Sequence, residues 1–233
     1  MSESKVSRTA FTPALAYSVL TPVYDIALEV LGFGRSFKAA VAGLAAVKPG
    51  EAVLDLGCGS GTLLQALVAR QSDARFTGVD PDPQVLRAAR RRLQRTPAVE
   101  LVEGYAQDLP FADRVFELVV STLIFHHLPD SVKLAALGEV RRVLAPHGRF
   151  LLVDFGAPPT RGARILLTIG SLFDGRENMR ANLAGELPAM LTAAGFDVIE
   201  IGRPHRGVRH LVARPQGAES GCQRRTPPGC RGC

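Results

Sequence analysis

The 233-residue chain predicts an α/β fold built on a mostly parallel, doubly wound sheet. Three observations predict it. Short apolar runs alternate with helical stretches through the middle of the chain. The runs "AVLDLG", "FELVVSTLIF" and "HGRFLLVDFG" are nearly continuous in apolar residues, as strands covered on both faces are. The first of them passes directly into a glycine-rich turn and a helix, "VLDLGCGSGTLL" (Val53–Leu64). Strands and helices alternating at this spacing give βαβ units.

Taken in order, the N-terminal stretch "FTPALAYSVLTPVYDIALEVLGFGRSFKAAVAGLAAV" reads as two or three helices, broken at Pro22 and at "GFG". "KPGE" is a turn into the strand "AVLDLG". "TLLQALVARQ" is helical, "RFTGVD" a strand, "PQVLRAARRRLQR" a helix and "VELVEG" a strand. "FELVVSTLIF" reads as one long buried strand. "DSVKLAALGEVRRVL" is an amphipathic helix, with Val132, Leu134, Leu137, Val140, Val143 and Leu144 as its apolar positions. "HGRFLLVDFG" is the next strand. After Gly156 the rhythm changes: a loop and a helical piece, then the helix "LAGELPAMLTAAGF". The strands "DVIEIGR" and "GVRHLVARP" close the fold as a hairpin. No internal repeat is present. The expected organisation is a helical lid over 1–47, a core over 48–215 with 158–180 as an inserted substrate cap, and a disordered, basic, cysteine-containing tail over 216–233.

Composition bounds the function classes. No apolar run approaches the roughly 18–20 residues that span a bilayer, and "MSESKVSRTAFTP" lacks a secretory apolar segment. A cytoplasmic protein is expected. The net charge is +6, of which the tail supplies part through Arg224, Arg225 and Arg231 against Glu219. The remaining bias is mild and suits an anionic substrate or peripheral contact with an anionic membrane. No arginine-rich stretch is interleaved with aromatics, so no nucleic-acid partner is expected. The four cysteines, Cys58, Cys222, Cys230 and Cys233, make no disulfide framework. The tail's "CRGC" has half-site spacing, but no second pair completes it, and no metal is expected. Oligomeric state is not legible.

The chemistry is expected at the glycine turn. Gly57, Gly59 and Gly61 let backbone approach a ligand and take positive φ, and the following helix points its positive end there. The same spacing also fits a dinucleotide fold. Asp55 lies in the strand end before the glycines, where it can accept from an amine or amide. Asp80 ends the next strand in "FTGVDPDP", placed to grip a ribose diol. The stretch "STLIFHHLPD" puts His126 and His127 at a strand end on the ligand side. As adjacent strand residues they would face opposite ways, which makes them a poor chelating pair.

Taken together, "VLDLGCGSG", "GVDPDPQVL", "GYAQDLPF", "FELVVSTLIFHHLPD" and "EVRRVLAPHGRFLLVDFG" resemble the class I S-adenosylmethionine-dependent methyltransferases. The resemblance is nearest to the small-molecule and quinone-type group and covers residues 48–156. It implies a seven-stranded sheet with an antiparallel last strand and helices on both faces. It implies that Asp55, Gly57, Cys58, Gly59 and Gly61 hold the methionyl part of S-adenosylmethionine, and that Asp80 holds the ribose. Pro81 and Val85 would flank the adenine, with Tyr105, Ala106 and Gln107 on its edge. The family usually carries an acid where this chain has Tyr105. Ser121 and Thr122 would approach the cofactor. Tyr24 and Arg35, in "LTPVYDIALEVLGFGRSF", would close over it.

The resemblance implies methyl transfer by in-line displacement, chiefly through proximity and orientation, to a small or lipid-like acceptor. S-adenosylhomocysteine would be the product. A general base is needed only where the nucleophile must lose a proton, with His126 and His127 as candidates. In the family the second histidine commonly supports the loop, which leaves His126 facing the acceptor. Arg161, Arg164, Arg176 and Arg180, among apolar neighbours in the insertion, suit an amphipathic acceptor with an anionic or polar end. A core helix with solvated arginines fits the same residues equally well. Two other readings stay open: phosphatidylethanolamine N-methylation at a membrane surface, and a cofactor-binding regulatory protein without turnover.

Overall fold

The computed structural model describes residues 32–96, 99–158, 177–202 and 207–217. Seven strands form one sheet: β1 (Ala52–Leu56), β2 (Arg75–Asp80), β3 (Val99–Glu103), β4 (Phe116–Thr122), β5 (Leu144–Phe155), β6 (Phe196–Glu200) and β7 (Val208–Pro215). Their order is β3-β2-β1-β4-β5-β7-β6. The first five strands pair in parallel, while β7 runs antiparallel to both β5 and β6. The strand order reverses between β1 and β4, and in open sheets of this kind ligands bind there, beyond the carboxyl ends of the strands.

The described helices are α1 (Arg35–Ala45), α2 (Thr62–Arg70), α3 (Pro83–Leu93), α4 (Asp130–Val143), α5 (Arg180–Ala184) and α6 (Leu187–Ala193). Strand alternation divides the core cleanly. Val53, Leu118, Val120, Leu151 and Val153 pack with Phe37, Val41, Leu64, Leu67 and Leu86, from α1, α2 and α3. Leu54, Leu56, Val119, Phe150 and Leu152 pack with Ala136, Leu137, Val140, Leu187 and Leu191, from α4 and α6. Covering both faces in this way explains why β1 is buried at every position.

Two elements differ from the expectation. The predicted strand over "FELVVSTLIF" ends at Thr122, because Leu123 takes a positive φ of 58° and turns the chain out of the sheet. The stretch Phe125–His127 then forms one 3₁₀ turn. Its apolar residue Phe125 is fully buried, but against α4 and the β5 face rather than as part of a strand. The terminal hairpin forms as expected, with Val198 level with Ala213.

Of the expected lid, residues 1–31 lie outside the described set; α1 supplies its last helix. Most of the expected cap, 159–176, and the tail from 218 onward also lie outside it.

Candidate active site

The turn after β1 is shaped by its glycines. Gly57, Gly59 and Gly61 have φ of 74°, 54° and 79°. A Cβ on Gly57 would lie 2.6 Å from Cγ2 of Ile124, so this position requires glycine for space as well as for conformation. The N–H groups of Gly57 and Cys58 both donate to the Val79 carbonyl, at 2.9 and 3.0 Å, which locks the turn to β2. Arg92 reaches back from α3 and donates to the Ser60 carbonyl at 2.7 Å and to Thr62 Oγ1 at 2.8 Å. It thereby braces the turn where α2 begins. Cys58 is buried, and burial pushes its thiol far up.

Asp55 is 1% exposed, and neither of its carboxylate oxygens has a hydrogen-bond partner among the described residues. Burial pushes its carboxyl up to about 7, against the pull of the Lys38 ammonium. A buried, unbonded carboxylate is costly and rare, so this one marks a place for a donor from outside the fold.

Asp80 stands across the turn. Its Oδ2 accepts from the Gly59 N–H and its Oδ1 from the Asp82 N–H, both at 3.0 Å. Burial raises its carboxyl despite these bonds. Each oxygen keeps a further lone pair. Pro81 and Val85 are partly exposed beside it, at the start of α3, where Asp82 caps the helix through the N–H of Gln84 and Val85.

The loop carrying Tyr105, Ala106 and Gln107 follows β3, with all three partly exposed. Tyr105 and Asp108 form an isolated bridge. The descending limb is held by α4. Glu139 accepts from the Leu109 N–H at 2.8 Å, and Arg142 donates to the carbonyls of Leu109 and Phe111 at 3.0 and 2.7 Å.

On the β4 side, Ser121 is fully buried, and its hydroxyl donates to the Leu56 carbonyl at 3.1 Å, tying β4 to β1. Thr122 is buried at the strand end and accepts from Lys38 Nζ. Lys38 was not singled out in the sequence. Arg35, the first residue of α1, is exposed, and Tyr24 lies outside the described residues.

The two histidines do not face opposite ways. In a 3₁₀ turn adjacent side chains are not on opposite faces, as they are in a strand, and here the rings lie 3.9 Å apart between centroids. His126 is 4% exposed and its Nδ1 lies 2.7 Å from Oδ1 of the buried Asp154, at the end of β5. Asp154 also accepts from the Phe125 and Phe155 N–H groups, both at 2.7 Å, and from Asn182 of α5 at 3.3 Å. Burial would raise its carboxyl, but the adjacent His126, the Phe155 N–H and His127 more than offset that and hold it low. An ionised carboxylate can only accept, so His126 donates to it through Nδ1. Burial and the adjacent His126 push His127 down to about 3, which keeps it neutral.

The end of the expected cap is fastened to this turn. Asn178 donates to the His127 carbonyl at 2.8 Å. Lys133, buried in α4, donates to the Asn178 carbonyl and to Asp130. Arg180, read in the sequence as a possible contact for an anionic acceptor, is committed to Asp130 at 2.6 Å and Glu186 at 3.2 Å. Arg161, Arg164 and Arg176 lie outside the described residues. At the closing hairpin, Arg209 pairs with Glu200 at 2.8 Å. Among the described residues no group of acidic, cysteine and histidine side chains could hold a metal, and no helix is long and apolar enough to cross a membrane.

A glycine cradle at the switch point of a 3-2-1-4-5-7-6 sheet with one antiparallel strand defines a class I methyltransferase fold. Residues 53–148 match the family described as a methyltransferase domain. The chain is 35% identical over 204 residues to the demethylmenaquinone methyltransferase of Thermus thermophilus, covering 78% of this chain and 91% of that one. It is 29% identical over 246 residues to the demethylmenaquinone methyltransferase of Clavibacter sepedonicus, covering 92% and 99%. Among solved structures, the YcgJ protein of Bacillus subtilis superposes with a TM-score of 0.61 at 27% identity, over 72% of this chain and 71% of that one. A SAM-dependent methyltransferase from Aquifex aeolicus shares the fold, with a TM-score of 0.61 at 19% identity over 76% and 88%. The chain belongs to the class I S-adenosylmethionine-dependent methyltransferases, in their quinone-type group.

Proposed function

We propose that this methyltransferase acts on a small aromatic diol of the reduced naphthoquinone type, with His126 as the group that takes the acceptor's proton. The observation that carries the reading is the unbonded, buried carboxylate of Asp55 beside the glycine cradle. Together with Asp80, it fits a ligand that presents an ammonium and a ribose diol. Asp55 and the Gly57–Gly61 turn would hold the methionyl end, Asp80 the ribose, and the Tyr105–Gln107 loop the adenine edge. When bound, S-adenosylmethionine supplies a methyl group on a sulfonium, already activated for transfer.

The chain's own task is then to align, desolvate and move one proton. Alignment of reacting groups can supply on the order of 7–11 kcal/mol at best. A reduced quinone ring becomes a carbon nucleophile when its hydroxyl gives up a proton. His126 is built to receive it: Asp154 fixes the tautomer through Nδ1 and would stabilise the imidazolium that forms. The same arrangement serves an oxygen acceptor. Two relatives named demethylmenaquinone methyltransferase, and the 2-phytyl-1,4-naphtoquinone methyltransferase of Trichormus variabilis at 34% identity over 145 residues, support a quinone-type acceptor.

The test is a transfer assay with methyl-labelled cofactor, offering a reduced 1,4-naphthoquinone lacking a ring methyl, simple phenols and phosphatidylethanolamine vesicles. Label should appear on carbon of the naphthoquinol. Transfer only to the phospholipid amine would overturn the acceptor class. Tight cofactor binding with no transfer to any acceptor would overturn the enzymatic reading.

A further inference from the structure

We propose that Asn178 and Asn182 are positioning residues for the proton transfer, clamping the histidine turn and Asp154 to each other, a role that rests on the reading of His126 as the proton's acceptor. His126 comes from the turn after β4 and Asp154 from the end of β5. The ladder between these two strands stops at Thr122 and Val153, before either residue. The sheet therefore leaves their spacing open, and another element has to set it.

The two asparagines span that gap from one short stretch. Asn178 donates from Nδ2 to the His127 carbonyl at 2.8 Å. Asn182, fully buried in α5, donates from Nδ2 to the Phe155 carbonyl at 2.9 Å and to Asp154 Oδ1 at 3.3 Å. That carboxylate oxygen is the one His126 meets. The Phe155 carbonyl can only accept, which fixes the orientation of the amide. The amide oxygen of Asn182 is then left in the interior with no hydrogen-bond partner among the described residues. A side chain kept for packing alone has no reason to strand an acceptor there; its N–H groups are what the site uses. The stretch is itself held. Lys133, buried in α4, donates to the Asn178 carbonyl. Arg180 bonds Asp130 and Glu186, and Met179 and Ala181 are buried. One amide thus grips each half of the pair from a fixed base.

The experiment compares the full chain with Asn178→Ala and Asn182→Ala, each alone and combined with His126→Gln. Turnover is read on the reduced 1,4-naphthoquinone, affinity by calorimetry with S-adenosylhomocysteine, and the histidine–aspartate bond by the low-field imidazole N–H signal that His126→Gln removes from the proton NMR spectrum. Each asparagine variant should lower kcat by roughly 10- to 100-fold, the scale of a small misplacement of a reacting group, with affinity for S-adenosylhomocysteine kept. The imidazole signal should broaden and exchange faster with water. Combined with His126→Gln, neither variant should lower kcat further, because both act through that ring. Parent turnover with an undisturbed signal would overturn the proposal. So would losses that multiply with His126→Gln, or a matching loss of S-adenosylhomocysteine affinity, which would report general damage. Should Asn182→Ala fail to fold, Asn178→Ala, at a half-buried position, carries the same test. A His126→Gln enzyme with the parent's kcat would overturn the proton reading and this proposal with it. No transfer by the parent would overturn the acceptor reading alone, and the imidazole signal would still decide the clamp.

Discussion

His126 and Asp154, 28 positions apart in sequence, meet at 2.7 Å in a place nearly sealed from solvent. The carboxylate is held by N–H donors from Phe125, Phe155, Asn182 and the imidazole itself. Asp154→Asn replaces one acceptor oxygen with a donor that opposes these groups. The variant should lose about 2–4 kcal/mol of stability. Its turnover should also fall well below the parent's, with little change in affinity for S-adenosylhomocysteine. His126→Gln should lose turnover with little change in affinity for S-adenosylhomocysteine. A His126→Gln enzyme with the parent's kcat would remove the histidine from the proton's path.

Asp55 gives the chain a stability that depends on pH in an unusual direction. Its carboxyl titrates near 7 in the folded state, pushed up by burial against Lys38, whereas an unfolded aspartate titrates near 3.9. Between these values the folded state holds a proton that the unfolded state has released. The contribution is therefore fully present at low pH and is lost as pH rises through about 7, by on the order of a few kcal/mol. Lys38, Asp80 and Cys58 are the other charged or titratable groups coupled to this site. His127, held neutral, works in the opposite sense below its ordinary value. Comparing Asp55→Asn with the parent isolates the aspartate. In urea denaturation the variant should gain on the parent from pH 5 to pH 8, and parallel curves would contradict the argument.

Gly57→Ala combines two penalties. A left-handed φ of 74° costs a residue with a Cβ about 1–2 kcal/mol, and the new methyl would collide with Ile124. Adding Ile124→Ala should recover the collision but not the backbone cost. The readouts are melting temperature and affinity for S-adenosylhomocysteine, both partly restored in the double variant. No recovery would mean that the contact with Ile124 is not what excludes a side chain.

Arg142 holds the limb that descends from the Tyr105–Gln107 loop. It bonds the Leu109 and Phe111 carbonyls, Glu139 and Asp113. Arg142→Lys cannot reproduce this fork. Amide exchange over residues 105–111 should quicken in that variant, and the cofactor KM should rise severalfold while kcat changes little. A fall in kcat at unchanged KM would place the effect elsewhere.

The parts of the fold and site that were legible in the sequence are those where local chemistry is also structural chemistry. Continuous apolar runs gave the parallel strands because both faces of the sheet are covered. The glycine turn was legible because only glycine serves at positive φ there. "STLIF" misled because a buried 3₁₀ turn and a buried strand end are equally apolar, and nothing in composition marks the turn at Leu123. Lys38 was invisible because its meaning depends on Thr122, 84 positions away. Asn182 was missed for the same reason: its role exists only where α5 meets the end of β5.

Helix α4 has an attachment at each end. Near its C-terminus, Glu139 and Arg142 grip the segment below the Tyr105 loop; near its N-terminus, Asp130 and Lys133 grip Arg180 and Asn178. Fourteen helical residues make a strut about 20 Å long. If the stretch 158–180 is the substrate cap expected from the sequence, the unit to transplant in a cap exchange is therefore longer than 158–180. A chimaera has to carry residues 126–133 and the stretch through Glu186 with the new cap. Otherwise the graft breaks Asp130 and Lys133 from their partners and loosens the histidine turn that it was meant to serve.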